Sequence, residues 1–125
     1  MHQILRRGAL NTILAGAVLG LVVPLLFRLL SAMLESFEGV PDAVWTAFDY
    51  VQLMLWPTPL LLLPVDQPGA PDLTLWGTFV ISTLANVTVY ATIAGLVWAG
   101  LAKARPILVL PLLIVAGIWF AVWCI

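Results

Sequence analysis

The sequence is poor in charge, since only 9% of its residues are Asp, Glu, Lys or Arg, whereas 63% are hydrophobic. A surface in contact with water normally carries about 25% charged residues, so this composition excludes an ordinary soluble domain. A lipid bilayer is therefore the expected surrounding of the chain. A protein of 125 residues has room for about three or four membrane spans with short connections. We expect a single transmembrane domain over residues 1–125.

The sequence also has little from which to build a metal or catalytic centre. Its single cysteine is Cys124 and its single histidine is His2, which excludes an internal disulfide and a His/Cys metal cluster. No glycine-rich phosphate loop, pair of intramembrane carboxylates or Ser/His/Asp set is present, and no basic aromatic patch suits nucleic acid. We therefore expect no enzyme activity, no catalytic or metal-binding residue, no cofactor and no nucleic-acid partner.

Basic residues are missing from a long central window of the sequence. All six acidic residues lie between Glu35 and Asp72, where no Lys or Arg occurs, and four of the five basic residues lie in Met1–Arg7 and Lys103–Arg105. Basic residues in short loops mark the cytoplasmic side of a membrane protein, whereas acidic residues carry little weight. The pattern predicts that both basic segments, including the N-terminus, are cytoplasmic, in a membrane of the bacterial inner-membrane type.

Four hydrophobic segments account for most of the remaining sequence, and the third is the longest. Each is long enough, or nearly so, to cross a bilayer core, for which a helix needs about 20 apolar residues. The first is longer than the roughly 7 to 15 apolar residues of a cleavable signal, which favours an uncleaved anchor. The sequence therefore predicts an all-α integral membrane helical bundle. The four segments are Gly8–Phe27, Val44–Leu63, Leu73–Ala102 and Pro106–Ile125.

The second segment is interrupted by two prolines, at Pro57 and Pro59. Proline disfavours helical geometry in the residue before it, so we expect the helix to end near Trp56. A second short helical turn is predicted from Thr58 to Pro64, because Thr followed by Pro suits a helix start. Two interpretations remain open: a re-entrant element that returns to the side from which it came, and a full span with a kink.

Small residues at helical spacing predict faces on which helices pack closely. The first segment holds a GxxxG pattern, which lets the backbone of another helix approach. Pro24 follows four residues after the second of these glycines and is expected to kink the helix. The third and fourth segments carry similar small faces. The predicted helix-packing residues are Gly16, Gly20, Ala91, Gly95 and Gly117.

A polar stripe lies at the centre of the third segment, where Ser82, Asn86 and Tyr90 recur at helical spacing. An amide in lipid needs hydrogen-bond partners, so Asn86 is expected either to join two helices or to contact a substrate or ion. We expect its partner in Gln52–Thr58, because the proline break there frees carbonyl groups at a similar depth.

Charged residues within or beside the apolar segments are the other candidates for a functional site. Arg28 and Asp49 lie at similar distances from a first turn predicted over Glu35–Asp42, so they are expected either to form an ion pair or to reach the interface separately. Gln52 lies close to Asp49 on the broken segment. The residues of the possible intramembrane polar site are Arg28, Asp49, Gln52, Asn86 and Tyr90.

These features favour a small membrane protein of structural or accessory type, which packs with itself or with a larger membrane protein. The alternative is a small oligomeric transporter or channel, with a polar site around Asp49, Gln52 and Asn86, because broken helices line substrate sites in transporters. The partners expected in either case are the lipid bilayer and further copies of the chain or a larger membrane protein.

Overall fold

The computed structural model describes residues 2–57 and 72–124, and within them all regular structure is helical. This confirms the all-α prediction for the described part of the chain. The third and fourth α-helices are joined by a 3₁₀ turn over Arg105–Leu108. The helices are α1 (His2–Glu35), α2 (Asp42–Leu55), α3 (Asp72–Ala102) and α4 (Val109–Trp123).

Two of the four helices, α1 and α3, are long and apolar enough to cross a membrane. With 34 and 31 residues, they are roughly 51 and 46 Å long. In the fourth segment, Pro111 predicts that the first helical turns bend or start late, and the segment does start as the 3₁₀ turn, with only 15 residues in α4. Pro106 at the start of the turn and Pro111 inside α4 account for this, because each proline removes a backbone donor.

The first and third helices are antiparallel and form the main packing contact of the fold. Gly8 lies beside Trp98, whereas Gly20, further along α1, lies beside Val87. Residue numbers thus rise along α1 as they fall along α3. The N-terminus and the Lys103–Arg105 turn consequently lie at the same end of the helix pair.

The second helix begins beyond the other end of α1. Gly39 in the connection has a φ of 78°, a left-handed conformation that glycine adopts without steric cost. Pro41 then precedes α2, whose first turn carries Asp42, and a carboxylate there interacts favourably with the helix dipole. The Phe48 ring packs edge-on against Phe27 of α1, with centroids 5.5 Å apart, so α2 returns along the outer half of α1.

The second helix ends at Leu55, which confirms the predicted stop near Trp56. The Trp56 side chain contacts Ser82 near the middle of α3, whereas α3 begins at Asp72, at the end from which α2 came. The described end of α2 thus lies beside the middle of α3, and both the re-entrant element and the kinked full span stay predictions. The helical turn predicted for Thr58–Pro64 lies outside the described residues.

Glycine at position 20 is required by the close approach of α3. A Cβ atom at Gly20 would lie 2.7 Å from the Val87 Cα and 2.9 Å from the Asn86 carbonyl oxygen. Both are backbone atoms, so a side chain could fit only if the helices separated. A Cβ at Gly16 would meet the Tyr90 carbonyl oxygen at 2.7 Å, and the GxxxG face is therefore occupied within the chain.

We predict that Gly20→Ala lowers the free energy of unfolding by about 1 to 3 kcal/mol, the usual cost of overpacking. Gly77→Ala is the matched control, because a Cβ atom at this glycine of α3 would have no neighbouring atom within 4 Å, and alanine there should be neutral or stabilising by up to about 1 kcal/mol. Thermal unfolding in mild detergent measures both. Equal effects of the two substitutions would contradict the close contact at Gly20.

Candidate functional site

The centre of the helix pair is a hydrogen bond from a side chain of α3 to the backbone of α1. The Asn86 Nδ2 donates to the Gly20 carbonyl oxygen at 2.9 Å. In a regular helix the N–H of residue 24 would bond this carbonyl, but residue 24 is proline and has no N–H. Pro24 thus leaves an acceptor without its helical donor, and Asn86, which is 0% exposed, supplies a donor from the neighbouring helix.

The predicted partner of Asn86 was therefore wrong. We expected the amide to contact Gln52–Thr58, where prolines free carbonyl groups, but the hydrogen bond goes to Gly20. The sequence contained the necessary signal, since the proline at position 24 frees the carbonyl four residues earlier. Because position 20 is glycine, no side chain covers this carbonyl and the Asn86 amide can reach it.

The polar stripe on either side of Asn86 does contact the end of α2. The Trp56 Nε1 donates to the Ser82 Oγ at 2.9 Å, and the Tyr90 hydroxyl donates to the Leu55 carbonyl oxygen at 2.8 Å. The Trp56 ring also packs edge-on against Phe79, with centroids 5.7 Å apart. The three polar residues of the stripe therefore hold α3 to two elements, α1 through Asn86 and the end of α2 through its two neighbours.

The Tyr90 hydroxyl supplies a hydrogen-bond donor to the C-terminal end of α2, which lies beside the middle of α3. The last four carbonyl groups of a helix have no intrahelical donors, and at this end the Trp56 N–H bonds only the Gln52 carbonyl oxygen, at 2.6 Å. The hydroxyl supplies a donor to the Leu55 carbonyl. Trp56 is itself 5% exposed, so the α2 terminus is anchored by packing as well as by hydrogen bonds.

Two buried oxygen atoms of the same region have no hydrogen-bond partner among the described residues: Asn86 Oδ1 and Thr83 Oγ1. Threonine hydroxyls elsewhere on α3, such as those of Thr88 and Thr92, donate to the carbonyl one turn earlier. A buried acceptor without a partner costs about 1 to 3 kcal/mol. The centre of the bundle therefore retains hydrogen-bonding capacity that the described helices do not use.

The charged members of the predicted polar site do not join this cluster. Arg28 and Asp49 are both exposed, and the structure forms no ion pair between these two described residues, so the ion-pair alternative is not the one observed. Arg28 lies instead in a surface groove of α1 that also holds Ser31 and Glu35. The Gln52 side chain is half-buried. The candidate site thus consists of neutral groups.

The predicted packing residues fall into two groups. Gly16, Gly20 and Gly95 lie against the partner helix of the α1–α3 pair, with a Cβ at Gly95 meeting Ile13 at 3.4 Å. Gly117 on α4 faces open space within the described structure, and Ala91 is half-buried.

In the described ranges no group of His, Cys, Asp or Glu residues is placed to hold a metal ion. The site is a set of helix-joining hydrogen bonds between neutral side chains and backbone carbonyl groups. Comparison with protein families, with curated proteins and with solved structures gives no significant match for this chain.

We predict that Tyr90→Phe lowers the free energy of unfolding by about 0.6 kcal/mol and by no more than about 1.7 kcal/mol, the average and the largest values measured for side-chain hydrogen bonds between membrane helices. The substitution removes only the hydroxyl that bonds the Leu55 carbonyl. Tyr50→Phe is the matched control, because Tyr50 is exposed on α2. Thermal unfolding in detergent compares the two variants, and an unchanged stability of Tyr90→Phe would contradict the role of this bond at the end of α2.

Proposed function

We propose that the chain is a small integral membrane protein of structural or accessory type, built on the antiparallel pair α1 and α3. The observation that carries this proposal is the apolar outer surface of the helices. Large aliphatic and aromatic side chains are exposed along their length, whereas Phe27 and Trp56 are the large hydrophobic residues that the described structure buries. A soluble monomer rarely exposes contiguous apolar surface of this extent.

The distribution of charge supports a definite orientation. Arg7, Lys103 and Arg105 are exposed at one end of the α1–α3 pair, and Glu35 and Asp42 are exposed towards the other. Because basic residues favour the cytoplasmic side, the N-terminus and the turn after α3 are cytoplasmic in this proposal. The cellular location that suits it is a bacterial-type inner membrane.

The structural or accessory role is supported by the way the polar groups are used. Ser82, Asn86 and Tyr90 all take part in bonds that hold helices together, and the two charged candidates Arg28 and Asp49 lie apart on the surface. A protein of this kind acts through its outer faces. The open small face at Gly117 on α4 suits close packing with another copy or with a larger membrane protein.

A transporter or channel is the second candidate, and one observation favours it. Asn86 Oδ1 and Thr83 Oγ1 are buried oxygen atoms without partners among the described residues, on the helix beside which α2 ends. Discontinuous helices with free backbone or side-chain oxygens line substrate sites in transporters. Flux of an ion or solute in proteoliposomes that is lost in Thr83→Val would favour this function over the structural one, because this substitution removes an unpartnered oxygen and leaves the Asn86–Gly20 hydrogen bond in place.

The proposed topology predicts the side on which single cysteines react. In a Cys124→Ser background, Gln3→Cys and Ala104→Cys should both be labelled by an impermeant maleimide from the cytoplasmic face, and Glu38→Cys from the opposite face. The reason is the antiparallel pairing of α1 with α3. Labelling in right-side-out and inside-out vesicles measures this.

Alkaline carbonate extraction of the same membranes is the control for insertion. Release of the protein into the supernatant would contradict the membrane proposal. Labelling of Gln3→Cys and Ala104→Cys from opposite faces would contradict the antiparallel arrangement instead.

A further inference from the structure

The antiparallel pairing gathers basic side chains from distant parts of the sequence at one end of the molecule. Arg7 precedes Gly8, which lies beside Trp98: a Cβ at Gly8 would be 3.2 Å from the indole Nε1. Lys103 and Arg105 follow about one to two turns later in the chain, and all three basic residues are exposed. This set of Arg7, Trp98, Lys103 and Arg105 is here called the basic end.

Among the described residues, no acidic residue lies at the basic end. Glu35 and Asp72 lie at the opposite end of the α1–α3 pair, and the other described acidic residues lie between Glu35 and the end of α2. The Lys103 Nζ lies 5.9 Å from the centroid of the Trp98 ring, which holds the ammonium group close to the tryptophan. Tryptophan prefers the headgroup level of a bilayer, so the charges lie where lipid phosphates would be. Arg7, Lys103 and Arg105 therefore carry positive charge that no described acidic residue neutralises.

We propose that the basic end binds the headgroup of an anionic phospholipid, with Arg7, Lys103 and Arg105 around the phosphate and Trp98 at the acyl-chain boundary. This inference rests on the membrane insertion proposed above and adds the lipid class that the protein selects. Arginine and lysine differ in their hydrogen-bond geometry, but both favour phosphate oxygens. A zwitterionic headgroup satisfies the site less well because its own cation competes for the phosphate.

Native mass spectrometry of the full chain in detergent tests the selection, with equal amounts of phosphatidylglycerol and phosphatidylcholine added. The wild type should carry mainly phosphatidylglycerol adducts. Each of Arg7→Gln, Lys103→Gln and Arg105→Gln should reduce the preference about fivefold, the factor expected for one basic residue near an anionic surface. High ionic strength should weaken it as well.

Arg28→Gln is the matched control, because it removes the same charge from an exposed arginine outside the basic end. An equal loss of preference in Arg28→Gln, or no preference in the wild type, would overturn the proposal. Inorganic phosphate separates a lipid from a soluble anion: displacement of phosphatidylglycerol by phosphate alone would assign the site to a free anion and would also overturn it.

Failure of lipid selection is distinguishable from failure of the membrane proposal. Membrane fractions from cells that express Arg7→Gln and Lys103→Gln report insertion independently of lipid preference. Retention of both variants in carbonate-washed membranes, with loss of phosphatidylglycerol preference, supports the basic end as a lipid site. Release of the wild type from the membranes would remove the basis of the inference.

Discussion

The structure depends on one constraint, the backbone acceptor that Pro24 leaves at Gly20. A carbonyl without a donor is costly away from water, and α1 cannot satisfy it from within. Asn86 satisfies it by donating from α3 at 2.9 Å, and the missing side chain at Gly20 permits the approach. Proline, glycine and asparagine thus act together, and each would be unfavourable in an apolar helix without the other two.

The position of α2 along α3 follows from the contact between Asn86 and Gly20. With Asn86 fixed against Gly20, the neighbouring positions Ser82 and Tyr90 are placed to receive the end of α2. The second helix can therefore end beside the middle of α3. The Tyr90 hydroxyl donates to the Leu55 carbonyl oxygen at its end, and the Trp56 indole that follows donates to Ser82. Neutral hydrogen bonds hold three elements together, and the exposed charges of Arg28 and Asp49 take no part in these bonds.

Much of the fold could be predicted from hydropathy and from proline positions. The long helices α1 and α3 follow from unbroken apolar runs, and the end of α2 follows from the steric effect of Pro57 on Trp56. The late start of α4 follows from Pro106 and Pro111, because each proline removes a backbone donor. The 3₁₀ geometry of the turn could not be predicted in this way, because it depends on packing of Arg105–Leu108 against α3.

The candidate site could be predicted only in part. The stripe that contains Asn86 is visible in the sequence, but periodicity does not say which neighbouring helix it faces. Matching charges by depth could not choose between an Arg28–Asp49 ion pair and two separate exposed charges, because depth fixes only one coordinate; both side chains are exposed in the structure. The partner of Asn86 could have been found by asking which carbonyl Pro24 leaves without a donor, because nearly every buried backbone carbonyl has a hydrogen-bond partner.

The most direct test of this account is a double-mutant cycle between Pro24→Ala and Asn86→Leu, followed by unfolding in detergent. Alanine at position 24 restores the N–H that bonds the Gly20 carbonyl, so Asn86→Leu should cost about 1 kcal/mol less in that background than in the wild type. Pro111→Ala is the control background, because it restores a donor far from Asn86. An equal cost of Asn86→Leu in all three backgrounds would contradict the proposed dependence of the fold on this hydrogen bond.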